Sequence, residues 1–255
     1  MIEQTLLLQI VEYSFWIGFS AMAAGVIYFA LERQSLAVEY QLVGTLSAAV
    51  ALVAAINYFY MKSQFDIGDA GQFAQFPTHF RYVDWLLTTP MLLAIVPILI
   101  GLKEGTKGLM AQLIVADIIM IAAGYVGETS INAELGATLV GWLFFFIAVA
   151  AFIFILFTLY ATLSSAEANL PRKRAERIGT LKVFISVGWL IYPLGFLMAL
   201  VWDGASGGAL RELLYNIADV ITKVGFGIVL LRSRDVLEEV SVDTTSGSEP
   251  EATAA

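Results

Sequence analysis

Seven apolar stretches, each about long enough to cross a bilayer, leave this chain little choice but a membrane bundle. They run approximately over 8–31, 38–61, 79–101, 109–127, 135–162, 178–202 and 210–231, and a spanning helix needs roughly 20 mostly apolar residues. Composition agrees: 59% of the 255 residues are hydrophobic and only 14% are charged, a balance foreign to water-soluble domains of this size. Connections between the stretches are short. The expectation is an all-α membrane protein, an up-and-down bundle of seven transmembrane helices over residues 1–235, with no separate soluble domain. There is no cysteine, so neither a disulfide framework nor a thiolate metal site is available. The first stretch is too long for a signal-peptide core and follows Glu3 rather than a basic segment, so it reads as a retained anchor.

Basic residues set the expected orientation. With the N-terminus outside, Arg33, Lys103, Lys107, Arg172, Lys173, Arg174, Arg177, Lys182, Arg232 and Arg234 all fall at inner ends. Only Lys62 and Arg211 fall at outer ends, which is the bias of cytoplasmic loops. Asp66, Asp69, Glu128, Glu134, Asp203 and Glu212 face outward. The segment Ser164 to Arg177 reads as the longest inner loop. Residues 236–255 are acidic, rich in Ser and Thr and without apolar periodicity, as expected of a disordered cytoplasmic tail. That tail supplies much of the net charge of −8. The expected partner is the lipid bilayer, with no nucleic acid.

Few ionisable groups then remain at membrane depth: Arg81, Asp84, Asp117, Asp219 and Lys223. A charged side chain there costs at least ~2.5 kcal/mol on insertion scales, so it normally has a partner and a task. Asp219 and Lys223 are four residues apart, on one helix face. Two readings are open for them. One is a structural ion pair that staples the last helix to the bundle. The other uses the ability of a buried lysine to shed its charge and condense with an aldehyde. Arg81, Asp84 and Thr88 share a face of the third helix, and Pro90 removes a backbone bond that nearby threonines can partly replace. By charge, Lys223 and Arg81 balance Asp84 and Asp219. Trp189, Tyr192 and Phe196 make an aromatic stripe on the sixth helix. With Trp85 and Tyr82 on the third, they suit either plain packing or a slot for a flat conjugated polyene.

Four segments together resemble the microbial (type 1) rhodopsins, and among them the proteorhodopsin-like light-driven proton pumps: residues 81–90 (RYVDWLLTTP), 124–128 (GYVGE), 188–193 (GWLIYP) and 214–223 (LYNIADVITK). The similarity runs from about residue 8 to 233. It implies all-trans retinal bound covalently to Lys223 as a protonated Schiff base. Asp84 would be the proton acceptor and primary counterion, Asp219 the second counterion, and Arg81 the arginine between them and the outer surface. Thr88 would hydrogen-bond Asp84, and Tyr58 and Tyr192 would bond Asp219. Trp85 and Trp189 would sandwich the polyene, with Tyr82, Leu92, Met120, Gly124, Phe145, Pro193 and Phe196 completing the pocket. Leu92 stands where proteorhodopsin-like chains divide into green- and blue-absorbing groups, and an apolar residue there implies green. A homo-oligomer is also implied.

Three positions depart from the pattern. The inner-side proton donor of such pumps is a carboxylate eleven residues after the acceptor, three helical turns or about 16 Å along the axis. Here that position is Ile95, which carries no proton. Many proteorhodopsins have a histidine on helix two that couples to the acceptor; here it is Asn57. Thr222 precedes Lys223, where a threonine pairs with the helix-six tyrosine in archaeal sensory rhodopsins. Asp117 matches an aspartate that stays protonated near the ring end, a neutral packing and tuning residue. His79, the single histidine, reads as a solvated or capping group. Glu128, Glu134 and Glu212 read as loop caps, with proton release as the alternative.

The leading expectation is a light-driven outward proton pump, a transporter of protons rather than a conventional enzyme. Asp84 argues against chloride and sodium pumping, and Asp219 against the inward-pumping group. Ile95 and Thr222 favour the alternative, a sensory rhodopsin with a slow photocycle that signals through a membrane transducer. A light-gated channel would need more polar residues on helix two than Asn57 and Tyr58.

Overall fold

The computed structural model describes residues 2–68, 78–99, 106–132, 136–167, 172–201 and 204–231. Its helices are α1 (Ile2–Arg33), α2 (Gln41–Gln64), α3 (His79–Leu99), α4 (Thr106–Thr129), α5 (Leu139–Glu167), α6 (Arg172–Val201) and α7 (Gly204–Asp219). The seventh rod continues through a π-helical turn, Val220–Gly225, into α8 (Phe226–Leu231). Consecutive rods pack side by side, and the last packs on α1, which closes the ring. The membrane expectation holds: five helices are long and apolar enough to span by length and composition, while the apolar part of α6, Lys182–Met198, is shorter.

Burial separates central from peripheral rods. Over half of the apolar window of the seventh rod (56%) is buried, against 17% of that of α5. The outward face of α5 exposes Leu143, Phe146, Phe154 and Phe157, as a lipid-facing surface should in a solvent as apolar as the side chains themselves. On α3 the exposed residues Val83, Leu86 and Leu87 interrupt a buried face of Arg81, Asp84, Trp85, Thr88, Leu92 and Ile95. Helical periodicity thus turns Arg81 and Asp84 inward, while His79 at the start of the helix is exposed.

Two local features differ from the sequence expectation. Most of Ser164 to Arg177 is helical, because α5 runs to Glu167 and α6 begins at Arg172. Polar residues end the bilayer-matched stretch there without ending the helix. Between α4 and α5, two-residue strands β1 (Ile131–Asn132) and β2 (Gly136–Ala137) pair antiparallel, with Ile131 opposite Ala137. The acidic tail and Glu134 lie outside the described residues.

Candidate functional site

The seventh rod organises the site. Its buried residues recur in pairs: Arg211 and Glu212, Tyr215 and Asn216, Ala218 and Asp219, Thr222 and Lys223, Phe226 and Gly227. Successive four-residue steps would drift off a 3.6-residue face. The π turn absorbs the excess: the Phe226 N–H reaches the Ile221 carbonyl, five residues back. Such bulges recur at functional sites because they re-aim side chains without breaking the rod. Here the bulge contains Lys223.

Among the lysines whose side chains are described, only Lys223 is buried, at 2% exposure. Its Nζ donates to Oδ2 of Asp84 on α3 and lies 3.1 Å from Oδ1 of Asp219. Asp219 is densely held. Its Oδ1 accepts from Tyr192 Oη at 2.7 Å and Trp85 Nε1 at 3.1 Å, and its Oδ2 from Tyr58 Oη at 2.9 Å. Asp84 differs, because its Oδ1 is buried without a hydrogen-bond partner among the described residues. Glycines admit two of the tyrosines: a Cβ at Gly18 would strike the Tyr58 ring, and one at Gly195 the Tyr215 ring.

Thr88 corrects an expectation in part. Its hydroxyl donates to the backbone carbonyl of Asp84 at 2.8 Å, and Thr89 does the same to Trp85 at 2.7 Å. Threonines inside apolar helices commonly bond back in this way, and the Thr88 bond therefore goes to the main chain rather than to the Asp84 carboxylate. Asn57 donates to the Val53 carbonyl at 2.9 Å. Tyr192 Oη and Thr222 Oγ1 lie 3.0 Å apart.

A second correction concerns the end of the bundle that carries the N-terminus. Glu128 and Glu212 are buried, at 5% and 0% exposure, rather than capping solvated loops. Arg81 donates to Glu212 Oε2 through Nε at 2.9 Å and Nη2 at 2.7 Å. Glu212 Oε1 accepts from Arg211, which also reaches Glu128 Oε1 at 3.2 Å. Tyr82 Oη donates to Glu128 Oε2 at 2.8 Å and Thr78 Oγ1 to Glu128 Oε1 at 2.7 Å. The charge balance is therefore not confined to the four groups counted from sequence. Glu212 and Glu128 face two guanidinium groups because a lone charge so placed would cost several kcal/mol.

Beside this array lies an apolar cavity between α3, α4, α5 and α6. Its walls include Tyr82, Trp85, Met120, Gly124, Phe145, Trp189, Tyr192, Pro193 and Phe196. Phe145 and Phe196 stack with centroids 4.5 Å apart. Thr89, Ile121, Phe152 and Tyr215 also line it, and the sequence reading missed them. Leu92 lies instead on a smaller cavity on the other side of Trp189, with Thr222 and Phe226. Asp117 is fully buried near the main cavity and accepts from Thr89 Oγ1 at 2.8 Å. His79 is exposed at the start of α3. Trp85 and Tyr192 join the two parts of the site, since both line the cavity and both bond Asp219.

A family model described as bacteriorhodopsin-like protein matches residues 9–237. The chain belongs to the bacteriorhodopsin-like family. It is 31% identical to a green-light absorbing proteorhodopsin of Gamma-proteobacterium EBAC31A08, over 85% of this chain and 83% of the relative. It is 32% identical to bacteriorhodopsin-I of Haloarcula marismortui, over 92% and 94%. Among solved structures, Exiguobacterium sibiricum rhodopsin superposes with a TM-score of 0.80 at 41% identity, covering 90% of this chain and 98% of that one. Xanthorhodopsin, described as a light-driven ion pump with dual chromophore, superposes at 0.81 with 26% identity, over 92% and 96%.

Members of this family are integral membrane proteins that hold retinal covalently through a lysine Schiff base, and they are not conventional enzymes. The residues present fit that group. A primary amine is buried between two carboxylates, and Trp85 and Tyr192, which bond one of those carboxylates, line an aromatic cavity.

Proposed function

We propose that this protein is a light-driven outward proton pump. In this reading Lys223 holds all-trans retinal, Asp84 is the primary counterion and proton acceptor, and Asp219 is the second counterion. One observation carries the proposal: Lys223 Nζ bonds Oδ2 of Asp84 while the other oxygen of that carboxylate has no hydrogen-bond partner among the described residues. Asp84 thus touches the nitrogen and has spare capacity, whereas Asp219 is saturated by tyrosine and tryptophan donors. The kinship with proteorhodopsins and with the ion pump xanthorhodopsin supports the same reading.

When bound, retinal supplies a light-absorbing polyene whose isomerisation re-aims the nitrogen shared with Lys223 and changes its acidity. The protein groups do the rest. Trp85, Trp189, Tyr82, Met120, Gly124, Phe145, Pro193 and Phe196 fix the polyene and exclude water. Asp84 takes a proton at Oδ2 and becomes neutral. Arg81 then answers to one anion fewer on the Lys223 side. The net proton is lost at the end of the bundle where Arg81, Glu212, Arg211 and Glu128 lie, outside if the N-terminus is outside, and Asp84 gives up its own proton toward that end to become a carboxylate again. Ile95 is fully buried in a cluster with Leu93, Val96 and Leu113, so the Lys223 nitrogen regains its proton from the opposite end without a carboxylic acid at that position.

One observation favours a second reading, a sensor acting through a membrane transducer: the Tyr192–Thr222 contact joins α6 to the π turn that carries Lys223. Illuminating retinal-supplied cells with a pH electrode in unbuffered medium separates the two. Acidification that a protonophore collapses and Asp84→Asn abolishes is expected of the pump; a coloured protein that moves no protons would leave the sensor.

A further inference from the structure

The buried guanidinium of Arg81 has two sets of anions in reach and is bonded to only one. Its Nε and Nη2 make three hydrogen bonds, two to Glu212 and one at 2.5 Å to the amide oxygen of Asn216. Its Nη1 stands 3.7 Å from Asp219 Oδ2 and has no hydrogen-bond partner among the described residues. An unpaired donor on a fully buried arginine is costly, and a short shift toward Asp219 would pair it. Something holds the group back.

The restraint is visible. Asn216 donates through Nδ2 to Ser14 Oγ at 2.7 Å, and Ser14 in turn donates to the Val11 carbonyl at 2.6 Å, so Arg81 is tied to α1. Glu212 is held from behind by Arg211, and Arg211 by Glu128 on α4. Both acceptors sit one and two helical turns from Asp219 on the same face of α7. Flanking rings at 5.4–5.8 Å, those of Phe15, Tyr58 and Tyr215, guide the guanidinium without charge.

We infer that Glu212 and Asn216 are positioning residues that hold Arg81 away from the Asp84–Asp219–Lys223 cluster and so set the acidity at which Asp84 takes up a proton in the dark. The charged and titratable groups facing this region are Tyr58 on α2, Tyr82 and Asp84 on α3, Glu128 on α4, Tyr192 on α6, and Arg211, Glu212, Tyr215, Asp219 and Lys223 on the seventh rod. Freeing Arg81 brings a permanent cation nearer to Asp84, which favours the carboxylate and demands more acid to protonate it. The inference rests on the pigment centre proposed above.

The test is an acid titration of the visible absorption of the purified, retinal-loaded full-length protein. Protonating Asp84 should give a red shift, and Asp84→Asn should be red-shifted throughout and lack the transition. Asn216→Ala changes no charge, and should move the midpoint to lower pH by about one unit, the size of effect a cation gains on approaching a carboxylate. Ser14→Ala should move it the same way by less, and Glu212→Gln by more. On an Arg81→Gln background the Asn216→Ala shift should vanish, since coupled residues fail additivity through their shared partner. A wild-type midpoint in both Asn216→Ala and Ser14→Ala would overturn the inference. So would a shift of equal size without Arg81. A transition that survives in Asp84→Asn would instead overturn the pigment centre itself.

Discussion

Asp84 and Lys223 bond directly although 139 residues separate them in the chain, while Asp219 reaches the same amine from one turn away at 3.1 Å. The long-range bond joins α3 to the seventh rod at the centre of the bundle. Beside it, Asp84 Oδ1 has no hydrogen-bond partner among the described residues, whereas both oxygens of Asp219 are bonded. In the proposed pump, that asymmetry suits Asp84 to exchanging a proton and Asp219 to holding the geometry.

Lys223→Ala should abolish the visible chromophore and leave helical content close to that of the unaltered protein. Lys62, Lys107 and Lys182 are not buried, so none of them offers an amine beside the cavity. Absorption spectroscopy after retinal addition, with borohydride reduction to trap a covalent adduct, checks this. A coloured, reducible adduct in the mutant would move the site elsewhere.

Asp219→Asn should weaken the folded pigment far more than Asp117→Asn. The first change leaves Lys223 with one anionic partner and disturbs bonds from Trp85, Tyr192 and Tyr58, and breaking a buried charge pair costs about 3–5 kcal/mol. The second disturbs one hydrogen bond, from Thr89, worth about 1 kcal/mol. Thermal bleaching curves of the two variants should separate clearly; coincident curves would contradict the structural weight given to Asp219.

Much of this was legible in the chain. Seven long apolar runs marked the rods because bilayer thickness dictates their length, and the few ionisable residues inside them marked the centre. What escaped has physical causes. Apolarity reports the membrane and not the helix, so polar Ser164–Arg177 reads as a loop although most of it is helical. Glu128 and Glu212 lie near helix ends, where a carboxylate usually meets water. Only the fold shows two arginines burying them. Yet Glu212, Asn216, Asp219 and Lys223 recur at steps of four, three and four, a one-face pattern the sequence already carried. The π turn left no such signal.

Absorption should lie in the green, and Leu92→Gln should move it toward the blue. Leu92 lines the small cavity on the other side of Trp189 from the proposed polyene, with Thr222, and a polar amide there would alter the electrostatic field along the polyene. A spectrum of the unaltered pigment with its maximum in the blue at neutral pH would contradict this.

Ile95 should make recovery of the pigment depend on protons from the bulk. Its buried apolar neighbours offer no acid at that position, so decay of the species that has lost its proton should slow as pH rises and quicken with azide. Ile95→Glu should weaken both dependences. Flash photolysis across pH measures them, and a fast, pH-independent decay in the unaltered protein would mean that another group donates.

The central claim is that Asp84 receives the proton that Lys223 holds in the dark, and time-resolved infrared spectroscopy tests it most directly. A carboxylic-acid C=O band should rise in step with the light-induced loss of visible absorption, shift in protein labelled at aspartate carboxyls, and be missing from Asp84→Asn. Loss of visible absorption with no such band, or with a band that persists in Asp84→Asn, would contradict the account.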